Sequence, residues 1–216
     1  MSFMPIKKAT FYSQIEKNIE LYKSQFDQIP EDRKMALKKL ALFMDDKIRA
    51  GEKIDLIFIC THNSRRSHIS QIWAQTAASY YEIPNVFCYS GGTEATAFNP
   101  RAVTAMKEAG FQIKTPADAT NPVYEIKFAN DADAIIAFSK KYDADTNPGK
   151  GFSAVMTCSH ADENCPVVIG AAVRVSTPYD DPKDFDGTPQ ETVKYTERVH
   201  QIGRDIVYAF SLVRGK

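Results

Sequence analysis

Apolar residues in the first fifty positions recur at helical spacing: Phe11, Ile15, Ile19, Leu21 and Tyr22, then, after Pro30, Met35, Leu37, Leu40, Leu42, Phe43 and Ile48. Recurrence every three to four residues marks an amphipathic helix, so residues 1–52 predict a helical hairpin whose second helix opens at Pro30 and closes at Gly51. Its stripe is expected to pack on the rest of the chain; the other use for such a stripe is an arm that binds a partner. From Asp55 the period changes. Leu56-Ile57-Phe58-Ile59 is a short unbroken apolar run, as in a strand buried on both faces of a parallel sheet. A helix over Ser67–Tyr80 follows, with Ile69, Ile72, Trp73 and Ala77 on one side, and Val86–Tyr89 reads as the next strand. This is βαβ order. Gly91-Gly92 is expected to turn the chain, Asn99-Pro100 to start a helix through Val103, Met106 and Ala109, and Gly110 to stop it.

Further along, Val123–Phe128, Ala134–Phe138 and Ala154–Met156 have strand character, with a turn-rich break over Asp143–Gly151. Val173–Val175 predicts a last strand. Glu191–Val213 predicts a closing helix with Val193, Val199, Ile202, Ile206 and Phe210 on its apolar side. The pattern therefore gives an α/β fold: a helical extension over 1–52, and an α/β domain over 53–216 interrupted near 121–152.

Composition narrows the possible functions. With 216 residues, 44% of them hydrophobic, the chain can bury a sizeable core without help from disulfides or metal. Lys and Arg number 27 against 27 Asp and Glu, so the net charge is zero, which argues against nucleic acid or an anionic membrane as partner. The longest apolar run, Ile54–Ile59, contains Asp55 and is far short of a membrane span of about 20 residues. The first residues, Met1-Ser2-Phe3-Met4-Pro5, lack the apolar core of a secretory signal, so a cytoplasmic location is expected. Four cysteines are too few for a disulfide scaffold, and in a reducing compartment they matter through thiolate or metal chemistry.

The chemistry starts where the first strand ends, at Cys60-Thr61-His62-Asn63-Ser64-Arg65-Arg66-Ser67. A short strand-to-helix loop aims successive backbone N–H groups and the positive end of the helix at one point, which makes an anion site. There Cys60 is favoured as thiolate, a nucleophile, and Arg66 can fork onto two oxygens of a tetrahedral oxyanion while loop amides take the rest. Asn63 tolerates a left-handed backbone, and Ser67 can donate to the sulfur. The plainer reading of Cys60 is an inert thiol at a strand end.

This segment resembles the loop of the low-molecular-weight protein tyrosine phosphatase superfamily, Cys-x-Gly-Asn-x-x-Arg-Ser, through Cys60, Asn63, Arg66 and Ser67. It departs at His62, where the family has glycine, and at Arg65, where many members have a second cysteine. The resemblance continues through Ser90-Gly91-Gly92-Thr93-Glu94 and Asn99-Pro100-Arg101-Ala102. It implies a parallel four-stranded sheet in a three-layer α/β/α arrangement, and a late Asp-Pro pair that supplies a general acid. Asp181, before Pro182, takes that role; Asp180, Asp184 and Asp186 are lesser candidates.

Cys158-Ser159-His160-Ala161-Asp162-Glu163-Asn164-Cys165-Pro166 adds two cysteines for which a simple phosphatase has no use. From the residues alone they are inert thiols, a metal site with His160, or a redox relay with Cys60. The segment is similar to Cys-Ser-x-Ala-Asp-x-Asn-Cys-Pro of thioredoxin-coupled arsenate reductases on the same fold. That likeness implies a relay in which Cys60 attacks arsenate, Cys158 attacks Cys60, and Cys165 attacks Cys158 to leave a disulfide for thioredoxin. No bound cofactor is expected. The reductases often carry a structural potassium, but Gln71 stands where a carboxylate ligand is expected, so no metal site is assigned. The alternative is a tyrosine or small-molecule phosphatase acting through a phosphocysteine, with Trp73, Tyr89 or Tyr179 as aromatic walls. A third reading is a redox sensor signalling through Cys158 and Cys165. Cys88 reads as a buried strand residue.

Overall fold

The structure, a computed structural model, describes residues 9–115, 119–164 and 167–214. The expected hairpin is present as α1 (Ser13–Lys23) and α2 (Glu31–Ala50), with Gly51 ending α2 at φ +66° in the left-handed conformation that glycine adopts without strain. Leu37, Leu40, Ala41 and Met44 form its buried stripe. Met35 and Leu42 lie on the opposite side of the same helix and are exposed, as are Leu21 and, in the last helix, Val193.

Four parallel strands follow: β1 (Ile54–Cys60), β2 (Val86–Gly92), β6 (Phe152–Met156) and β7 (Ala171–Ser176), in spatial order β2-β1-β6-β7. Alternation along the central strand β1 sends Ile54, Leu56 and Phe58 to one core cluster and Ile57, Ile59 and Cys60 to another. On the first face α2 and α3 (Arg66–Tyr80) lie on the sheet, and α6 (Glu191–Ser211) packs against α1, α2, α3 and α4 (Pro100–Glu108). The second face is covered by the short α5 (Ser159–Asn164), where Ala161 joins Phe152, Ala154, Met156 and Cys158. Helices thus flank the sheet on both faces, in layers of very unequal size. Among the described residues no helix is long and apolar enough to cross a membrane.

Residues 112–137 form a second, antiparallel sheet of β3 (Gln112–Lys114), β4 (Tyr124–Lys127) and β5 (Ile135–Ala137). The last two were expected from their apolar content; β3, with one apolar residue in three, leaves no pattern to read. The segment after Cys158 is wound into α5.

The expectation at Gly91-Gly92 needs correction: they do not turn the chain but are the last two residues of β2, paired with Ile59 and Cys60. Glycine is required there for closeness of approach. A Cβ on Gly92 would stand 2.2 Å from Glu94 O and 2.7 Å from both Asn63 N and Thr61 O. Gly203 has the same function between helices, because a Cβ there would meet Tyr22 Cε2 at 2.7 Å and Trp73 Cε2 at 2.9 Å, both rings fully buried. Replacing glycine in a helix with alanine gains about 1 kcal/mol of propensity, whereas overpacking a rigid core costs about 1–3 kcal/mol. Gly203→Ala is therefore expected to lower stability in urea unfolding, and a rise in midpoint would show that α6 can move outward freely.

Candidate active site

Cys60 ends β1 and Arg66 begins α3, so residues 61–65 are the entire crossover. Loop carbonyls are held from outside: Thr93 N donates to Cys60 O (3.2 Å), Glu94 N to Thr61 O (2.8 Å), Thr96 Oγ1 and Ser139 Oγ to His62 O (3.1 Å each), and Asn99 N to Ser64 O (2.8 Å). Among the described residues, no N–H from Thr61 to Arg66 has a protein acceptor. Carbonyls held from outside and amides without a protein acceptor leave the loop with the free donors that an anion nest needs. The left-handed residue is Asn63, at φ +45°, and not His62 where the family has glycine.

Asn63 organises the loop from within. Its Oδ1 accepts from Lys140 N (2.8 Å) and its Nδ2 donates to Ser67 Oγ (2.9 Å). Because Ser67 Oγ accepts there, its own hydrogen is available for Cys60 Sγ, 3.1 Å away. Arg66 donates through Nη1 to Tyr179 O (2.8 Å) and through Nη2 to Asp181 Oδ2 (2.7 Å). Asp181 also caps the 3₁₀ turn Pro182–Phe185 by accepting from Lys183 N (3.1 Å). Asp180 instead points to solvent beside Arg198.

Arg65 stands where many relatives have a second thiol, and its charge is put to structural use. Its Nε donates to Tyr195 Oη (2.9 Å) and lies 3.8 Å from Asp181 Oδ1, and Tyr195 Oη donates to Asp186 Oδ1 (2.8 Å). Arg101 reaches Asp186 (3.7 Å) and Glu191 (2.8 Å). Burial, the largest influence, pushes the Tyr195 phenol up to about 12, so it stays a donor. This network binds the start of α3 to α6; Tyr195 gave no signal in the sequence, and Asp186, a lesser candidate for the acid, is engaged by Tyr195 and Arg101.

Cys158 comes to the same loop. Thr157 N donates to Ile59 O (2.7 Å), so Cys60 and Cys158 emerge from the ends of adjacent strands. Thr61 Oγ1 lies 3.5 Å from Cys158 Sγ and 3.2 Å from His160 Nδ1. Cys60 and Cys158 are both buried free thiols; Cys165 lies outside the described residues.

Other candidates fall away for physical reasons. Burial holds the His68 imidazole down at about 3, so it is neutral at any working pH, stacked on Phe98 with Nδ1 3.1 Å from Ser90 Oγ. Burial likewise drives the Cys88 thiol well up. Trp73 and Tyr179 are core residues and wall no pocket. Among the described residues no cluster of His, Cys, Asp and Glu could hold a metal. The carboxylate expected of a potassium site is replaced by the neutral Gln71, which donates to Cys88 O (3.1 Å) and Ile136 O (3.4 Å) and leaves Oε1 buried without a partner among the described residues, while the Lys140 ammonium sets a positive charge near His68. A cavity of about 640 Å³ borders Gln71 and Lys140, but no residue from Cys60 to Ser67 lines it.

A buried cysteine at the end of an inner strand of a parallel sheet, loop amides without a protein acceptor, an arginine six residues beyond and a late aspartate paired with it together make the arrangement of a cysteine-dependent oxyanion enzyme. Residues 55–185 match the family described as low molecular weight phosphotyrosine protein phosphatase, and the chain belongs to that family. It is similar to an arsenate reductase from Brevibacillus brevis, with 35% identity over 130 residues, 60% of this chain and 78% of that protein. An arsenate reductase from Bacillus licheniformis is 30% identical over 155 residues, covering 71% of this chain and 93% of its own. Among solved structures, a YwlE mutant from Bacillus subtilis superposes with a TM-score of 0.50 at 15% identity, over 74% of this chain and 97% of that one, which supports the shared fold.

Lys140, which supports Asn63 through its backbone, is costly in its side chain. It is 7% exposed, its ammonium 4.5 Å from the centre of the Phe138 ring, and burial depresses it from 10.5 to about 8. Because the folded value lies below the unfolded one, the unfolded chain holds more protons between about pH 8 and 10.5, and stability rises with pH through that window. Below pH 8 the full penalty applies. Lys140→Met keeps the backbone bond and is expected to stabilise the protein by about 1–3 kcal/mol at pH 7, after the lost ring contact, with the gain vanishing near pH 10.5. Thermal unfolding across that range checks both size and sign.

Proposed function

We propose that this protein reduces arsenate to arsenite through Cys60, Cys158 and Cys165, with thioredoxin or a similar dithiol protein as external reductant and no bound cofactor. The observation that carries the reading is the position of Cys158: a second buried thiol at the neighbouring strand end, against Thr61 of the oxyanion loop. Ester hydrolysis needs Cys60, Arg66 and Asp181 and gives that thiol no work. The family membership and the arsenate reductases similar to this chain support the same reading.

Arsenate, tetrahedral and anionic, enters the nest of amides from Thr61 to Arg66, and Arg66 turns from Asp181 to two of its oxygens. The Cys60 thiolate attacks arsenic, and Asp181 delivers a proton to the departing oxygen, which leaves as water. The Cys158 thiolate then attacks the Cys60 sulfur. The sulfur–arsenic bond breaks with its electron pair kept by arsenic, giving arsenite and a Cys60–Cys158 disulfide. Cys165 attacks Cys158 and frees Cys60 as thiolate, and the external dithiol reduces the Cys158–Cys165 disulfide. Chemistry through free thiols belongs in a reducing compartment, which supports a cytoplasmic location.

The test couples arsenate to NADPH oxidation through thioredoxin and thioredoxin reductase, beside hydrolysis of an aryl phosphate. Cys60→Ser is expected to abolish both activities, and Cys158→Ser to lower arsenate turnover about a hundredfold or more while sparing any ester hydrolysis. Ester hydrolysis without arsenate turnover in the wild type would instead establish a phosphatase working through a phosphocysteine. Treated with arsenate, Cys165→Ser is expected to accumulate a Cys60–Cys158 bridge; its absence from peptide maps would sink the relay.

A further inference from the structure

The segment that carries Asp181 is gripped from an unexpected side. Arg33, in the first turns of α2, donates through Nη2 to Pro178 O, and its guanidinium lies 4.6 Å from the centre of the Tyr179 ring. Its Nε is 3.9 Å from Asp205 Oδ2 on α6, a buried carboxylate that holds the guanidinium in place. Tyr179 is itself buried, and its carbonyl accepts from Arg66. One side chain of the N-terminal hairpin thus lies two residues from the acid, and outside the stretch 55–185 that the family match covers.

The grip gains importance when substrate binds. Arg66 donates through Nη1 to Tyr179 O and through Nη2 to Asp181 Oδ2, while its Nε is buried without a partner among the described residues. An oxyanion that takes the Nε and Nη2 edge of this guanidinium displaces Asp181, at the moment when Asp181 must face the leaving oxygen. Other holds among the described residues are Thr177 N to Met156 O (2.9 Å) and Tyr179 N to Thr157 O (3.1 Å) on the sheet side, Tyr179 beside Asp205 of α6, Arg65 at 3.8 Å from Asp181 Oδ1, and Arg198 at 3.3 Å from Asp180. The last contributes little, because Asp180 is 94% exposed. Arg33 fixes the opposite side of the segment, with one hydrogen bond and one ring face.

We propose that Arg33 is a positioning residue: from the N-terminal hairpin it keeps the Pro178–Asp181 segment in register with the Cys60 loop after Arg66 has exchanged Asp181 for the oxyanion. This rests on Asp181 acting as proton donor, a role common to arsenate reduction and ester hydrolysis.

The test compares wild type with Arg33→Met/Asp205→Asn, in which the second change removes the buried carboxylate that Arg33→Met alone would leave with Arg204 but without Arg33. Asp205→Asn alone is the control. Hydrogen exchange over residues 177–185 is expected to quicken about tenfold in the double variant relative to that control, with protection of β1 unchanged. A misplaced acid harms poor leaving groups most, so hydrolysis of phenyl phosphate is expected to fall about tenfold and that of p-nitrophenyl phosphate less than about threefold. Unchanged exchange over 177–185 overturns the proposal, as does an equal fall with both esters. A wild type inert toward both esters and toward arsenate would refute the functional reading, and the exchange result would still decide whether Arg33 holds the segment.

Discussion

Everything at the site depends on how the five residues between Cys60 and Arg66 divide their hydrogen bonds. The carbonyls of Cys60, Thr61, His62 and Ser64 are bound by donors from the Thr93–Asn99 stretch and from Ser139, while among the described residues the loop amides have no protein acceptor. The arrangement needs β2 pressed against the loop, which is why Gly92 admits no side chain. It also needs one residue in the left-handed region, a conformation Asn adopts more readily than most. The same Asn63 then sets the hydroxyl of Ser67 against the sulfur. Backbone geometry, anion binding and thiol environment therefore have a single origin.

Around that loop the charged residues form two linked groups. Arg66 and Asp181 hold one another while no oxyanion occupies the nest, so neither charge is left uncompensated in a partly buried place. Arg65, Tyr195, Asp186 and Arg101 form a second group that ties α3 to α6 and meets the first where Arg65 lies 3.8 Å from Asp181 Oδ1. Two adjacent arginines thus have different partners: Arg66 faces Tyr179 and Asp181, and Arg65 is built into the Tyr195 and Asp186 network.

The parts of the chain legible in its sequence are those governed by local rules. The buried run Leu56–Ile59, the Asn99-Pro100 start of α4 and the stop at Gly51 each follow from periodicity or capping. The Cys60 loop is legible because strand, spacing and helix fall within a dozen residues. What escaped depends on contacts distant in sequence. Gly91-Gly92 looks like a turn until Tyr142 and Glu94 are seen pressing on its backbone. Lys140 looks like surface until it is found buried against Phe138, and Arg33 looks like a solvent-facing helix residue until Pro178 arrives beside it. Met35 and Leu42 fail for another reason: a generous stripe of apolar residues on α2 hides which phase faces inward.

The unequal layers carry a last consequence. The large face of the sheet holds most of the bulky buried side chains, whereas α5 is six residues long and adds Ala161 to the smaller cluster. With few apolar side chains of its own, α5 is held to β7 by polar contacts, Ser176 Oγ donating to Asp162 Oδ2 (2.6 Å), so its local stability is decided largely apart from the large core. Fold stability and the freedom of the Cys158 segment are thus set by different residues, and selection can raise one without restraining the other.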